Sequence, residues 1–247
     1  MTGWAPSTAS PSRGRARASI DAVPVTRARR PRGLLIAAEG LDGSGKSAGL
    51  DALGRWLERK GRRVHLVTWE PSRLVARAAV APRGRQILTP RVAALLAAAE
   101  AADRIARDVR RPMARGDVVL ADRYAWTAVA REVARGLEPS WAAGLYRFAP
   151  APDLVIFHRQ DPAGALSRAL ASRPTPVGAE AVASAYSAFL VRLMAAYDSL
   201  LVDPASGPWP VPTLVLDPRA APGGRVEAIR DGVRPLLEAP VGLRVSA

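Results

Sequence analysis

The sequence predicts an α/β fold, a five-stranded parallel sheet with helices on both faces. Three observations carry it. Short apolar runs alternate with helical periodicity five times along residues 33–240, the pattern of strands buried on both faces between covering helices. The first run leads into Gly40-Leu41-Asp42-Gly43-Ser44-Gly45-Lys46-Ser47, a complete G-x-x-x-x-G-K-[ST] loop between a strand and a helix. Of 247 residues, 49% are hydrophobic and 5% aromatic, so an aliphatic core fills one domain of this size, and two full domains do not fit.

Residues 1–32 are rich in Pro, Ser, Ala and Arg without hydrophobic period, and read as a disordered basic N-terminal tail. Residues 1–33 hold seven arginines and one aspartate, so +6 of the net +14 lies there. An Arg- and Ser-rich, acid-poor arm also mimics an organellar transit peptide; the plain disordered arm is the preferred reading. Order begins at Gly33, and one domain spans 33–240. Leu34–Ala38 is the first strand, and Leu50, Leu53 and Leu57 recur at i, i+3 and i+7 in a helix that starts at Lys46 and stops at Gly61. Val64–Thr68 is the second strand, ended by Pro71, and completes a unit whose crossover is right-handed. A long Ala- and Leu-rich helical stretch follows Pro90, and Asp117–Ala121 is the third strand, followed at once by Asp122-Arg123-Tyr124. Helical segments run to about Phe148, Leu154–Phe157 is the fourth strand, and Pro162 opens a further helix. Residues 172–179 break the pattern; then come a helix over Glu180–Leu201, a last strand Thr213–Leu216 and a closing helix Val226–Leu237. No internal repeat is present.

The absence of cysteine excludes disulfides, Cys-ligated zinc and cysteine nucleophiles, and two histidines, His65 and His158, argue against a His-rich metal site. The net charge of +14 has two readings, a nucleic-acid or membrane-surface binder and a compositional bias. Lys46 and Lys60 are the only lysines, and the Arg skew with abundant Ala, Pro and Gly favours bias over nucleic-acid binding by the tail. No uncharged apolar stretch of about 18 residues and no secretory h-region occurs, so no membrane span and a cytoplasmic location are expected.

The glycine-rich loop sets the chemistry. Its glycines let backbone N–H groups turn inward around phosphate oxygens, and the helix N-terminus adds its dipole. Lys46 is expected to bridge the β- and γ-phosphates of ATP, and the Ser47 hydroxyl to hold Mg²⁺. No N-K-x-D guanine signature appears, which argues against a GTPase. Asp122, at the tip of the third strand, lies where parallel sheets bind ligands; it can hold Mg²⁺ through water or face the acceptor. Arg123 offers a planar fork for phosphate. The bland alternative, Asp122 capping the next helix and Arg123 pairing on the surface, is disfavoured by their place in the sheet.

In order along the chain, EGLDGSGKS, TWEPSR after the second strand, LTP before the long helix, DRY after the third strand, DLVIFHRQDPAGALSRALASR and TLVLD resemble the thymidylate kinase family over residues 33–237. The resemblance implies a P-loop kinase fold with a short lid, ATP and Mg²⁺ as cofactors, a nucleotide acceptor and a homodimer. It implies that Asp42 contacts the acceptor sugar, that Arg123 holds the acceptor phosphate, and that Asp122 sits near the metal and the transferred group. Tyr124 and Thr127 would line the acceptor side, Arg104 would reach base or phosphate, and Arg168 and Arg173 would be lid arginines. The chain also departs from the pattern. The usual R-E-P reads Trp69-Glu70-Pro71, so a phosphate-binding arginine is missing, and Arg73 or Arg77 could substitute. Arg131 and Glu132 stand where an aromatic and a Gln are common, Ala97–Ala99 occupy the place of a stacking aromatic, and His158-Arg159-Gln160 replaces an acidic residue.

Three functions stay open on the sequence: a nucleoside monophosphate kinase, most naturally dTMP to dTDP; a deoxynucleoside kinase on the same fold, with Asp122 as base; and a non-catalytic ATP-binding regulator.

Overall fold

The computed structural model describes residues 33–69, 88–171, 179–202 and 211–238. The basic tail, Arg73, Arg77 and Arg173 lie outside these residues, and so does nearly all of the predicted break at 172–179.

Five strands form one parallel sheet in the order β2-β3-β1-β4-β5. They are β1 Leu34–Gly40, β2 Val64–Thr68, β3 Val118–Asp122, β4 Leu154–His158 and β5 Thr213–Val215. The third strand begins one residue later than the sequence pattern suggests and takes Asp122 as its last residue. Asp117 instead turns its carboxylate to His65 and Arg115. β5 ends at Val215, one residue short of expectation.

The central strands are apolar without alternation because both faces are covered. Side chains alternate between two cores. Leu35, Ala37, Val119, Ala121, Val155 and Phe157 face one core; Leu34, Ile36, Ala38, Val118, Leu120 and Ile156 face the other. The second core is closed by α1 (Lys46–Arg59), through Leu50, Leu53 and Leu57, and by the C-terminal helix, through Ile229 and Val233. Gly61 ends α1 in a left-handed turn, φ 75°, as its position predicts.

The first core is covered by α2 (Pro90–Arg104), α3 (Arg111–Arg115), α4 (Ala125–Ala134), α5 (Pro139–Gly144) and α7 (Ala179–Leu201), with α6 (Pro162–Ala171) at one end. Thr89 caps α2, its hydroxyl accepting from Val92 N. Between α2 and α3 the chain takes a π-helical register over Ile105–Arg110. Pro112 follows at once; it has no N–H to give residue 108 and crowds that carbonyl, and the wider register relieves both. The closing helix α8 runs Pro222–Glu238, four residues longer at its start than its hydrophobic period shows.

β1, whose connection runs through α1 to β2, pairs with β3, whose connection runs the other way to β4. The crevice beyond its C-terminal end is where such sheets take ligands. Ala38, Asp122 and Thr68 lie abreast there, as the strand register fixes.

Candidate functional site

The loop between β1 and α1 is built by backbone conformation. Gly40, Gly43 and Gly45 have φ of 138°, 72° and 89°. At Gly40 a Cβ would stand 2.6 Å from the His158 carbonyl oxygen, so only glycine passes β4 this closely. Gly45 is the left-handed N-cap of α1 and has no side chain to occupy the helix's free N–H groups. These groups, with the helix dipole behind them, form an anion cradle.

Leu41 is buried, and its carbonyl accepts a 2.6 Å hydrogen bond from Lys46 Nζ, which also donates to Ser44 Oγ at 3.3 Å. Lys46 is itself buried, and desolvation lowers its pKa to about 8 against the opposing pull of Asp122 and Glu39. Ser47 donates from Oγ to Asp122 Oδ2 at 2.5 Å. The strand tip and the loop thus bring a hydroxyl and a carboxylate to one point. Asp122 does not cap the following helix: Tyr124 is the N-cap of α4, without a side-chain cap.

Arg123 is held in the left-handed region, φ 70°, the only described non-glycine residue there. Such a residue costs about 1–3 kcal/mol unless its surroundings hold it. Here its N–H donates to Ala38 O at 2.9 Å, and its guanidinium donates to Gly40 O at 3.2 Å and to the Asp42 carboxylate. The strained backbone aims the arginine at the mouth of the loop. Asp42, Gly43, Gly45, Lys46, Ser47, Thr68, Asp122 and Arg123 surround a pocket of about 340 Å³.

The structure therefore gathers Gly40, Leu41, Asp42, Gly43, Ser44, Gly45, Lys46, Ser47, Asp122 and Arg123 at one place. Tyr124, Thr127 and Arg104, named from the resemblance, take other positions. Tyr124 and Thr127 do not line an open acceptor side; both are wholly buried. Tyr124 packs against Trp69 and Trp126 and donates from its hydroxyl to Pro150 O. Thr127 donates to Glu39 and shares a 2.7 Å hydrogen bond with Tyr197. Arg104 is tied to Thr68 O at 2.9 Å and to Glu100, beside a second groove along the edge strand β2. Arg168 lies on α6.

Pattern reading passed over Glu39. It is fully buried at the end of β1, directly before the loop, and accepts from Tyr124 N and Thr127 Oγ1. Burial raises its pKa to about 7, only partly offset by the Thr127 hydrogen bond and by Arg123 and Lys46. Thr127, Tyr197 and the Gly40 carbonyl extend this network behind the loop. The signal was a single acidic residue in an otherwise apolar strand. His158, from the segment that departs from the family pattern, props the other side, with its Nδ1 3.3 Å from Ser44 O. Burial and Lys46 lower its pKa to about 4. Trp69 lies in the core against Tyr124 and Tyr146 and donates from its backbone N–H to Asp122 O at 2.9 Å, so position 69 supports the site by packing and a backbone hydrogen bond.

Comparison with known proteins agrees with this geometry. The family model described as thymidylate kinase matches residues 38–199. A protein named probable thymidylate kinase 2 from Saccharolobus solfataricus is 38% identical over 56% of this chain and 64% of its own length. A probable thymidylate kinase from Thermococcus gammatolerans is 35% identical over 50% of this chain and 64% of its own. A thymidylate kinase from Nitratidesulfovibrio vulgaris is 38% identical over 56% and 65%. The chain thus spans a little under two thirds of the length of these curated relatives.

Proposed function

We propose that this chain, which belongs to the thymidylate kinase family, transfers the γ-phosphate of ATP to a nucleoside monophosphate, with dTMP, the substrate implied by its relatives' names, as the acceptor. One observation carries the proposal: the phosphate cradle, the Ser47–Asp122 pair and Arg123 converge on one pocket at the sheet's switch point.

The residues present fit ATP and Mg²⁺. Glycines with positive φ open backbone donors to phosphate, and a hydroxyl–carboxylate pair is the small oxygen donor set that suits a metal kept largely on water and phosphate. No cluster of three acidic or histidine ligands exists among the described residues, and this mode of binding needs none. Ser47 and Asp122 would hold Mg²⁺, which neutralises charge on the phosphates when bound. Lys46 would leave the Leu41 carbonyl for the β- and γ-phosphates, and its lowered pKa makes it responsive to their charge. Arg123, already aimed at the loop mouth, would hold the acceptor phosphate and orient it. Asp42 keeps Arg123 in place and would meet the acceptor sugar. Little covalent chemistry is asked of the chain; positioning and electrostatics suffice.

Two further parts of the proposal concern assembly and location. Val92, Leu95 and Leu96 on α2 are 42%, 51% and 40% exposed. This apolar stripe suits a homodimer contact, the assembly implied by the family resemblance. No described helix is long and apolar enough to cross a membrane. The cytoplasm, where ATP and nucleoside monophosphates are abundant, is the proposed compartment.

The test measures thermal stabilisation by ATP-Mg²⁺ alone and with each monophosphate, followed by ADP release. Stabilisation by dTMP with one ADP formed per dTDP is the expected result. ATP binding with no ADP from any acceptor would sink the proposal in favour of a non-catalytic nucleotide binder.

A further inference from the structure

We propose that Arg131 is the second cation for the acceptor phosphate, working beside Arg123 and supplying the charge that Trp69 does not. The inference rests on the monophosphate kinase reading above and specifies how its acceptor site is built.

Four observations lead there. First, α4 is fixed against the loop by its own residues: Tyr124 N and Thr127 Oγ1 both donate to Glu39, and Thr127 also meets Tyr197, which reaches the Gly40 carbonyl. Thr127 therefore marks the face of α4 turned towards the loop. Arg131 follows at i+4, one turn along that face. Second, Arg131 is half-buried, and its guanidinium makes no hydrogen bond or ion pair with another described residue. Its neighbours differ: Arg135 is paired with Glu132, and Arg123 with Asp42 and Gly40 O. Third, Arg131 lies close enough to Lys46 and Arg123 for like-charge repulsion to reach both. Fourth, position 69 cannot take the part, since its indole is packed in the core against two tyrosines.

The charges then do not balance. Lys46, Arg123 and Arg131 bring three positive charges against the carboxylates of Asp122 and Asp42, while burial keeps Glu39 from adding a full negative charge. Two of the three cations are desolvated, so this excess is unfavourable until a multiply charged anion joins it. A phosphomonoester dianion supplies the charge, and among the described residues Arg123, which lines the pocket, and Arg131, one turn beyond Thr127 on α4, are placed to share it.

The experiment compares dTMP with thymidine, which differ by the phosphate alone. Their affinities are measured by calorimetry in the presence of a non-hydrolysable ATP analogue and Mg²⁺, for the wild type, Arg131→Gln and Arg131→Lys. Losing one charge-assisted contact weakens dTMP binding by roughly 10- to 100-fold, with thymidine and ATP-analogue binding unchanged. Arg131→Lys recovers part of the loss. In turnover, KM for dTMP rises and kcat at saturation stays near the wild type. If Arg131→Gln binds dTMP as the wild type does, or loses dTMP and thymidine by the same factor, Arg131 is not a phosphate ligand and the kinase reading stands. If the wild type itself does not prefer a monophosphate to its nucleoside, both proposals fall.

Discussion

Glu39 and His158 flank the phosphate loop from opposite sides and should titrate against each other. The perturbation is Glu39→Gln. In the folded chain Glu39 has its pKa raised from 4.5 to about 7, chiefly by burial. A raised carboxylate pKa means the folded state binds the proton more tightly than the unfolded chain. Its contribution to stability is therefore complete below pH 4.5 and is lost as pH climbs through 7. A difference of about 2.5 pH units, at about 1.4 kcal/mol each, amounts to about 3 kcal/mol. His158 runs the other way. Its pKa falls from 6.5 to about 4, so its contribution is present above 6.5 and is lost as pH falls through 4. It carries a similar magnitude of about 3 kcal/mol. Between pH 4.5 and 6.5 the two nearly cancel, and the wild-type profile should be close to level in their contribution. Urea unfolding of the wild type and Glu39→Gln at pH 4.5, 5.5, 6.5 and 7.5 isolates the carboxylate, because titrations common to both proteins drop out of the difference. The variant should gain about 3 kcal/mol relative to the wild type from the lowest pH to the highest. His158→Asn should show a pH-dependent difference of opposite sign. A Glu39→Gln difference that does not change with pH would refute the argument, since it would mean that Glu39 titrates alike in the folded and unfolded chains.

Two further outcomes follow from the site. Lys46→Met should lower kcat by at least 10²-fold, a loss typical of removing one donor to developing phosphate charge, while stability holds because a desolvated cation has been exchanged for an apolar chain of similar length; turnover within a few-fold of the wild type would remove Lys46 from the reaction. Trp69→Arg, which restores the family's usual residue, should not improve phosphate binding but destabilise the fold by roughly 3–5 kcal/mol, because the guanidinium would enter the space between Tyr124 and Tyr146; a well-folded variant with a lower dTMP KM would contradict it.

The sheet and the phosphate loop were legible because each depends on local pattern. Unbroken apolar runs mark strands covered on both faces, and G-x-x-x-x-G-K-S needs its glycines for the positive φ found at Gly40, Gly43 and Gly45. The end of β3 was misplaced by one residue because Asp117 and Asp122 bracket the apolar run symmetrically. Only the pairing with β1 decides which of the two belongs to the strand. Tyr124 and Thr127 were misjudged for a related reason. Proximity to Asp122 and Arg123 in sequence suggests a shared site, but beyond the left-handed turn at Arg123 the chain carries Tyr124 and Thr127 into the core. Glu39 and Arg131 stand out in the sequence, as a lone acid in an apolar strand and a departure from the family pattern, but what each does depends on three-dimensional placement. That placement lies in what α4 brings against β1.

The two halves of the site differ in how they tolerate change. The proposed ATP side is made of backbone N–H groups, one lysine and a hydroxyl–carboxylate pair, and any substitution of its glycines meets a steric or conformational barrier, as the 2.6 Å approach at Gly40 shows. That half has nowhere to drift. The proposed acceptor side is made of long side chains projecting from separate elements, and a cation can be supplied from more than one of them. Once Trp69 packs between Tyr124 and Tyr146, the indole strengthens the core beneath β2 and removes an arginine from the end of that strand. An arginine on α4, one turn beyond Thr127, then restores the charge from the opposite side of β3 without disturbing the loop. Divergence at the residues that define the acceptor pattern is therefore compatible with an acceptor that is still a phosphomonoester. What it alters is the direction from which the phosphate is gripped, and so the shape of base and sugar that the remaining space accepts.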